Sequence, residues 1–527
     1  MRKIQKFQSI LAVCISLCLG IAAVMSGTTE KVRAAQKEAT YLSEIEVNAE
    51  VKDSYPDSGK YDQNFFNKIN SEYGTNYNSS AQPLTISNEG ELAAFAKAVN
   101  DGKSFEGKYV KLMNDIDLKG DSPFIKKIVS GDKFKLVVGN ASGQAAQKIS
   151  NVWKPIGQDM AHSFKGEFDG NNKKIKGMVV ISGSRDEKYS GFFGGISKGV
   201  IKNLNIEEAY VISKTAKRNS WVGGLTANNS EGTVNDVHMT GTVLNAGSGQ
   251  SFAGGLVGYN VGTIENSSSE ADVFCYNDYN DDYTNTRAGG LAAYSHTGGT
   301  IKNCSAAGDV AVWSNNFSMA GGLTGYNYEN AVIEKSYAAG KVSSFVSDST
   351  RSSAGGLVSY NYGGVIRSCL ATGDVASGVD YAGTNQTLSY AGGLMGENIR
   401  ATGKIEESCA TGNVSFLNSD TTTAYGGGLV GSNNQKAQIK NSCAAGSVSG
   451  ASYGGGLAGE NKDDSSVIEN SYAAGDVSAL NAGGLVSRHE GGTINGCYRN
   501  SKARVAVSGD LNQEGNAVTP EQMTGTG

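Results

Sequence analysis

The chain of 527 residues has four histidines, His162, His238, His296 and His489. No two of them stand four apart, the spacing at which a helix face clamps zinc, so they read as structural residues. Carboxylates were the next candidates. Asp309, Asp374 and Asp476 each sit in a Gly-Asp-Val step, a recurring place where a polysaccharide-cleaving pair of acids could be built. Lys341, Asn413 and Ser447 fill the same place elsewhere, which describes an exposed, exchangeable position. The stretch 274–288, FCYNDYNDDYTNTRA, sets Asp278, Asn280, Asp282 and Thr284 at alternate positions, as in the front of a calcium loop. Tyr283 takes the Gly position of such a loop and no Glu follows at the twelfth. The reading is a polar loop, with Ca²⁺ the alternative and no other cofactor expected. No seryl nucleophile elbow or phosphate loop stands out, and the chain is read as a protein that is not an enzyme.

Aromatic residues offer binding instead. Tyr276, Tyr279 and Tyr283 fall on this loop, Trp313 and Phe317 on a second insert, and Tyr381 and Tyr390 on a third. They could stack on sugars or anchor a protein partner, or they could pack across the bases of their own loops. Of the cysteines, Cys14 and Cys18 lie in the leader, and five of the other six follow a recurrent Ile by three or four residues. Cys409 and Cys443 lie about one repeat apart, near bridging range. Parallel side-chain vectors disfavour a bond between them, so buried thiols acting as small apolar spacers are expected.

The element that must position these residues is a repeat. Its form is G-G-L-x-G-x-N, a short gap, then I-x-N-S/C-x-A-x-G-x-V. The anchoring leucine recurs nine times, at Leu225, Leu256, Leu291, Leu323, Leu357, Leu394, Leu429, Leu457 and Leu485, 28 to 37 residues apart, with a degenerate copy at Phe193. Each unit holds three short segments of strand character, around the Leu, from the Ile and up to the Val, and none with helical periodicity. Hairpin signals are missing. This predicts an all-β, right-handed parallel β-helix of about ten or more coils, in which no unit folds alone because neighbours must cover its apolar side chains. Asn260, Asn327, Asn361, Asn398, Asn433 and Asn461 share one place in the unit, where stacked amides form a ladder. Between the Val and the next Gly pair the insert varies from 5 to 16 residues, predicting a wall of recognition loops along one edge.

The ends differ from the middle. Residues 1–34 read as a cleaved secretory signal: Arg2, Lys3 and Lys6 precede an apolar run from Ile10 to Met25, with Val32 and Ala34 at the cleavage site. An uncleaved anchor is the alternative and the only membrane contact expected. Residues 35–80 read as a polar linker or leader. Residues 81–183 hold a short capping helix, with Asn88 and Glu91 as its capping box, and the first variant coils around Leu112, Ile116, Leu118, Trp153, Ile156, Phe168 and Ile175. The repeats fill 184–500, and 501–527 form a C-terminal extension that ends without a cap, as a truncated piece of a longer chain would. Without residues 1–34 the chain keeps 41 basic and 50 acidic residues, a net charge of −9 that argues against nucleic acid as partner.

These residues resemble a known family. GGLVGYN at 254–260 and IENSYAAGDV at 468–477 resemble the GLUG motif of bacterial surface proteins, found also upstream of the catalytic domain in immunoglobulin-A1-specific zinc metallopeptidases. The stretches 87–120, with NDIDL, and 153–177, with WKPIG and FDGNNKKIKG, resemble the segment that commonly precedes such repeats, so the resemblance covers about residues 84–500. It implies a right-handed parallel β-helix, a secreted or cell-surface place and a binding or spacer role. The peptidase's HExxH zinc motif is absent from this sequence, so the resemblance carries no catalysis. The expected function is a secreted or surface β-helix that binds an extracellular glycan or protein, as in adhesion, through its loop edge. A stalk presenting another domain, and a polysaccharide-degrading β-helix, are the alternatives.

Overall fold

The computed structural model describes residues 41–57, 59–140, 143–183, 188–214, 219–279, 285–347, 351–380, 387–417, 422–506 and 516–518. Residues 1–34, read as a signal, lie outside them. The described residues form an all-β parallel solenoid with two short helices. It divides into two compact units, one of residues 42–129 and 134–309, the other of 310 onward with Tyr41 and residues 130–133.

In the first of these units the apolar residue at one place in every turn lies over its counterpart. Leu84, Val110, Phe168, Ile201, Val234, Ile264 and Ile301 pair in parallel register, one strand to the next, and are essentially unexposed. Burying each such side chain stabilises by roughly 1.5–3 kcal/mol. The degenerate copy joins the ladder, since the Phe193 N–H donates to Leu225 O at 2.7 Å. The helix Glu89–Asn100 starts where its capping residues require. Asn88 accepts the Glu91 N–H at 3.0 Å, and the Glu91 carboxylate reaches back to the Ser87 N–H at 2.7 Å. Its Phe95 is fully buried against Phe105, Phe164 and Phe168.

Residues 41–80, read as a leader, are folded. Tyr41–Val51 is a strand paired in parallel with Gln147–Ile149, and Gln63–Glu72 is a helix capped by Asp62, whose carboxylate accepts the Phe65 N–H at 2.9 Å. The strand's partner comes from nearly a hundred residues away, so no local period announced it.

The second unit repeats more strictly. Ile333, Ile366, Ile405, Ile439, Ile468 and Ile494 form one column. The Leu357 N–H donates to Leu394 O at 2.8 Å, and the Leu394 N–H to Leu429 O at 2.9 Å. The leucine lies in the turn between two strands rather than within one, as in Arg351–Gly355 and Val358–Tyr362. That turn needs the glycines: a Cβ on Gly355 would overlap Val358 O, and one on Gly356 would overlap Gly393 O of the next turn. The asparagine ladder forms as expected. Asn327 donates to Asn361 at 2.8 Å, Asn361 to Asn398 at 2.9 Å, Asn398 to Asn433 at 3.0 Å and Asn433 to Asn461 at 2.8 Å, all fully buried. Even the C-terminal extension contributes, because Asn516–Val518 pairs with Tyr498–Asn500.

Two expectations need correction here. The lengths of the inserts between the Val and the Gly pair suggested loops, but their described parts are mostly strand: Val342–Val346 and Arg351–Gly355 in one, Val375–Val379 and Thr387–Gly392 in another, and Val477–Gly483 across the shortest, with 348–350 and 381–386 outside the described residues. Serines within them are buried and satisfy one another. Ser318 bonds Ser344 at 2.8 Å, Ser352 bonds Ser377 at 2.9 Å, and Ser377 bonds Ser389 at 2.9 Å.

Cysteine pairing is the second correction, for Cys409 and Cys443 are joined in a disulfide. They follow their Ile by four residues and face each other in register, with Cα atoms 4.6 Å apart. Cys304, Cys369 and Cys497 follow theirs by three and occupy a buried column otherwise filled by serine. In that column Ser408 accepts the Cys369 N–H at 3.1 Å and donates to Glu406 O at 2.8 Å. Burial pushes the Cys304 and Cys369 thiols up to about 12, which keeps them inert. Among the described residues no helix is long and apolar enough to cross a membrane.

Candidate functional site

Asn280, Asp282, Tyr283 and Tyr381 lie outside the described residues. Of the calcium-like set only Asp278 is described, and it is exposed. Among the described residues no group of three or more His, Cys, Asp or Glu side chains gathers to hold a metal. Tyr276 is half-buried in the strand Asp272–Asn277; Tyr279 is exposed, and its N–H donates to Asn277 Oδ1 at 2.9 Å. Trp313 is buried in the strand Val310–Ser314, its indole N–H on Asp380 Oδ2 at 3.2 Å. Tyr390 is buried in Thr387–Gly392 and stacks on Tyr425 at 5.3 Å. The three described inserts therefore hold these rings in strands or at strand ends.

Two of the Gly-Asp-Val carboxylates, those of Asp374 and Asp476, have a structural role. Asp374 Oδ1 accepts the Asn413 N–H of the next turn at 2.9 Å, and Asp476 Oδ1 accepts the Arg504 N–H at 2.8 Å. Asn413 Oδ1 does the same for the Ser447 N–H at 3.0 Å. At these turns a side-chain oxygen at this position staples one turn to the next.

What sequence reasoning passed over is the outward side of the strand after each leucine. In Thr324–Tyr328 the ladder residue Asn327 points inward, so Tyr326 and Tyr328, one residue to either side, point outward by simple alternation. The next turn repeats the arrangement with Tyr360 and Tyr362 in register. Tyr326 stacks on Tyr360 at 5.0 Å, and Tyr328 on Tyr362 at 5.4 Å. The Tyr in GYN was the available signal. Arg400 caps one row, 4.2 Å from the Tyr362 ring centroid, with its guanidinium on the Tyr362 hydroxyl and paired to Glu329 at 3.4 Å. Arg351 lies between Tyr360 and Tyr390, 5.2 and 4.9 Å from their centroids, and forms an ion pair with Glu397.

The rows differ in exposure. Tyr326, Tyr360, Tyr390, Tyr425, Glu397 and Glu460 are buried, forming a polar-aromatic seam, whereas Tyr328, Tyr362 and Arg400 reach solvent. Burial pushes the Glu460 carboxyl above its ordinary range, against the Ser432 hydroxyl that donates to it at 2.6 Å. A carboxyl raised in the fold contributes its full share only while protonated. Stability is therefore lost as pH rises from the unfolded Glu value through the raised folded one. Glu460→Gln is expected to raise the melting temperature at pH 7 and to leave it unchanged at pH 4; an equal shift at both would show that Glu460 does not titrate in this way.

The fold and the repeat define a parallel β-solenoid. The GLUG motif model matches residues 250–273 and 284–311, each window containing a Gly-Gly-Leu turn. No curated protein matches the chain. A solved structure from Bacteroides ovatus, described as "a putative immunoglobulin A1 protease", is similar at 15% identity over 84% of each chain, with a TM-score of 0.29.

Proposed function

We propose that this chain is a secreted or cell-surface β-solenoid that binds and does not catalyse, and that it holds an extended extracellular glycan along the row Tyr328, Tyr362 and Arg400. The observation that carries this reading is the register of that row: phenol rings 5.4 Å apart along the solenoid axis, closed by an arginine. Successive strands impose the spacing, and it is comparable to the advance of one sugar in an extended glycan. The ring faces are spent on one another and on Arg400, so their edges and hydroxyls, with Glu329 beside them, are what the surface presents. Hydroxyl-rich chains suit such an array. The carboxylates of the Gly-Asp-Val steps, spent on backbone N–H groups of the next turn, support the non-catalytic part.

Affinity electrophoresis of the full chain through gels containing laminarin, xylan or amylose tests it. Retardation in at least one gel is expected, reduced about tenfold or more in apparent affinity by Tyr362→Ala with Arg400→Ala, with an unchanged β-type circular dichroism spectrum. No retardation in any gel, equal retardation of the variant, or release of reducing sugar would each defeat the reading.

A further inference from the structure

A cleft of about 590 Å³ opens in the unit of residues 42–129 and 134–309, well away in sequence from the tyrosine rows. Its size is that of small-molecule sites. Trp153, Pro155, Val180 and Ile181 give it an apolar floor, and Tyr61 and Tyr189 stand in its lining. Each is fixed by what lies behind it. The Trp153 indole is fully buried, its N–H spent on Phe192 O at 3.0 Å, so it backs the floor rigidly from beneath. Tyr189 is backed by Trp221 at 5.3 Å, nearly parallel, and Tyr61 by the edge of Phe66 at 5.6 Å. Asn100 shapes the rim, donating to Pro155 O at 3.1 Å and accepting the Gly157 N–H at 2.7 Å.

The rim carries charges of both signs. Lys97 is paired with Asp101 at 2.9 Å, and Asp159 is hydrogen-bonded to His162 at 2.8 Å. Gln158 and Asp57 add exposed polar groups beside them. An anionic ligand would meet Asp57, Asp101 and Asp159; a cation would meet Lys97 and Lys154. A hydrocarbon chain would strand the polar rim. A pyranose fits all three parts, with C–H faces on the aromatic walls, ring body on the apolar floor and hydroxyls toward the rim.

We propose that this cleft is a binding site for a neutral pyranose, the end or a short stretch of an oligosaccharide. It stands independently of the tyrosine rows and has its own aromatic walls.

Isothermal titration of the full chain with cellotriose, maltotriose and chitotriose tests it. At least one is expected to bind, with affinity reduced about tenfold or more by Tyr61→Ala and by Tyr189→Ala, and less by Gln158→Ala. Tyr61 is partly exposed, so its variant serves where Tyr189→Ala fails to fold. The Tyr362→Ala, Arg400→Ala variant is expected to bind the trisaccharide unchanged, which separates the two sites. Absence of binding by all three trisaccharides at millimolar concentration overturns the proposal. So does unaltered binding by Tyr61→Ala, or tighter binding of glucuronate or glucose 6-phosphate than of the neutral sugars.

Discussion

Arg351→Ala is expected to destabilise the folded chain by about 3–5 kcal/mol, the usual effect of stripping a buried carboxylate of its counter-ion. The Glu397 side chain is only 3% exposed and Arg351 is its ion-pair partner. Removing the guanidinium leaves that charge in the seam between Tyr360 and Tyr390, whose rings also lose a cation at 5.2 and 4.9 Å. Alanine also opens space where the planar side chain was packed. The loss concentrates locally, because a repeat array need not unfold in one step. Hydrogen exchange of the amides in Met395–Ile399 and Arg351–Gly355 is therefore the measurement of choice, with guanidinium denaturation alongside. The double variant Arg351→Leu, Glu397→Leu is expected to recover most of the loss, since hydrophobic residues of similar volume commonly replace a buried ion pair at little cost. A change below about 1 kcal/mol for Arg351→Ala, the range of solvated surface pairs, would show that water reaches Glu397 and that the seam is open.

Phe95→Ala is expected to cost about 3–5 kcal/mol in the other unit, through lost transfer energy and the cavity left behind. The ring is fully buried, with centroids of Phe105, Phe164 and Phe168 at 4.9, 5.8 and 5.9 Å. Those rings belong to two chain segments, one around Phe105 and one holding Phe164 and Phe168, and cannot all move inward to fill the gap. Phe95→Leu, which keeps most of the volume, is expected to cost less than about 1.5 kcal/mol. Thermal melts of the two variants decide it. Equal melting temperatures would mean that the helix Glu89–Asn100 frays from the turn beneath it before the rest unfolds, so that its packing is not part of the measured transition.

How much of this was open to sequence reading follows from where each residue's partner lies. Ile333, Asn327 and Leu323 find their partners at the same place of the next unit, Ile366, Asn361 and Leu357. A repeat states such contacts outright. The capping of Glu89–Asn100 was legible for a related reason, as Asn88 and Glu91 are three residues apart and satisfy local N–H groups. The disulfide was nearly so: Cys409 and Cys443 share the fourth place after their Ile, while Cys304, Cys369 and Cys497 take the third. The closeness of Cys409 and Cys443 followed from the repeat; that the two side chains meet in a bond did not.

Other features were closed to it. Ser344, Ser352, Ser377 and Ser389 look like loop residues in one dimension, and only the neighbouring turn turns them into a satisfied, buried column. Tyr326 and Tyr360 were passed over because aromatic residues beside a ladder position look like core. The cleft collects Tyr61, Lys97, Trp153 and Tyr189, which no period relates. The sequence by itself determined the solenoid, its columns and the places where turns stack, because identical units can bury their apolar side chains only against copies of themselves. Tertiary structure alone decided the strand-filled inserts, the Arg351–Glu397 seam and the cleft, because there the stabilising partner is a different residue type, brought close by winding and not by recurrence.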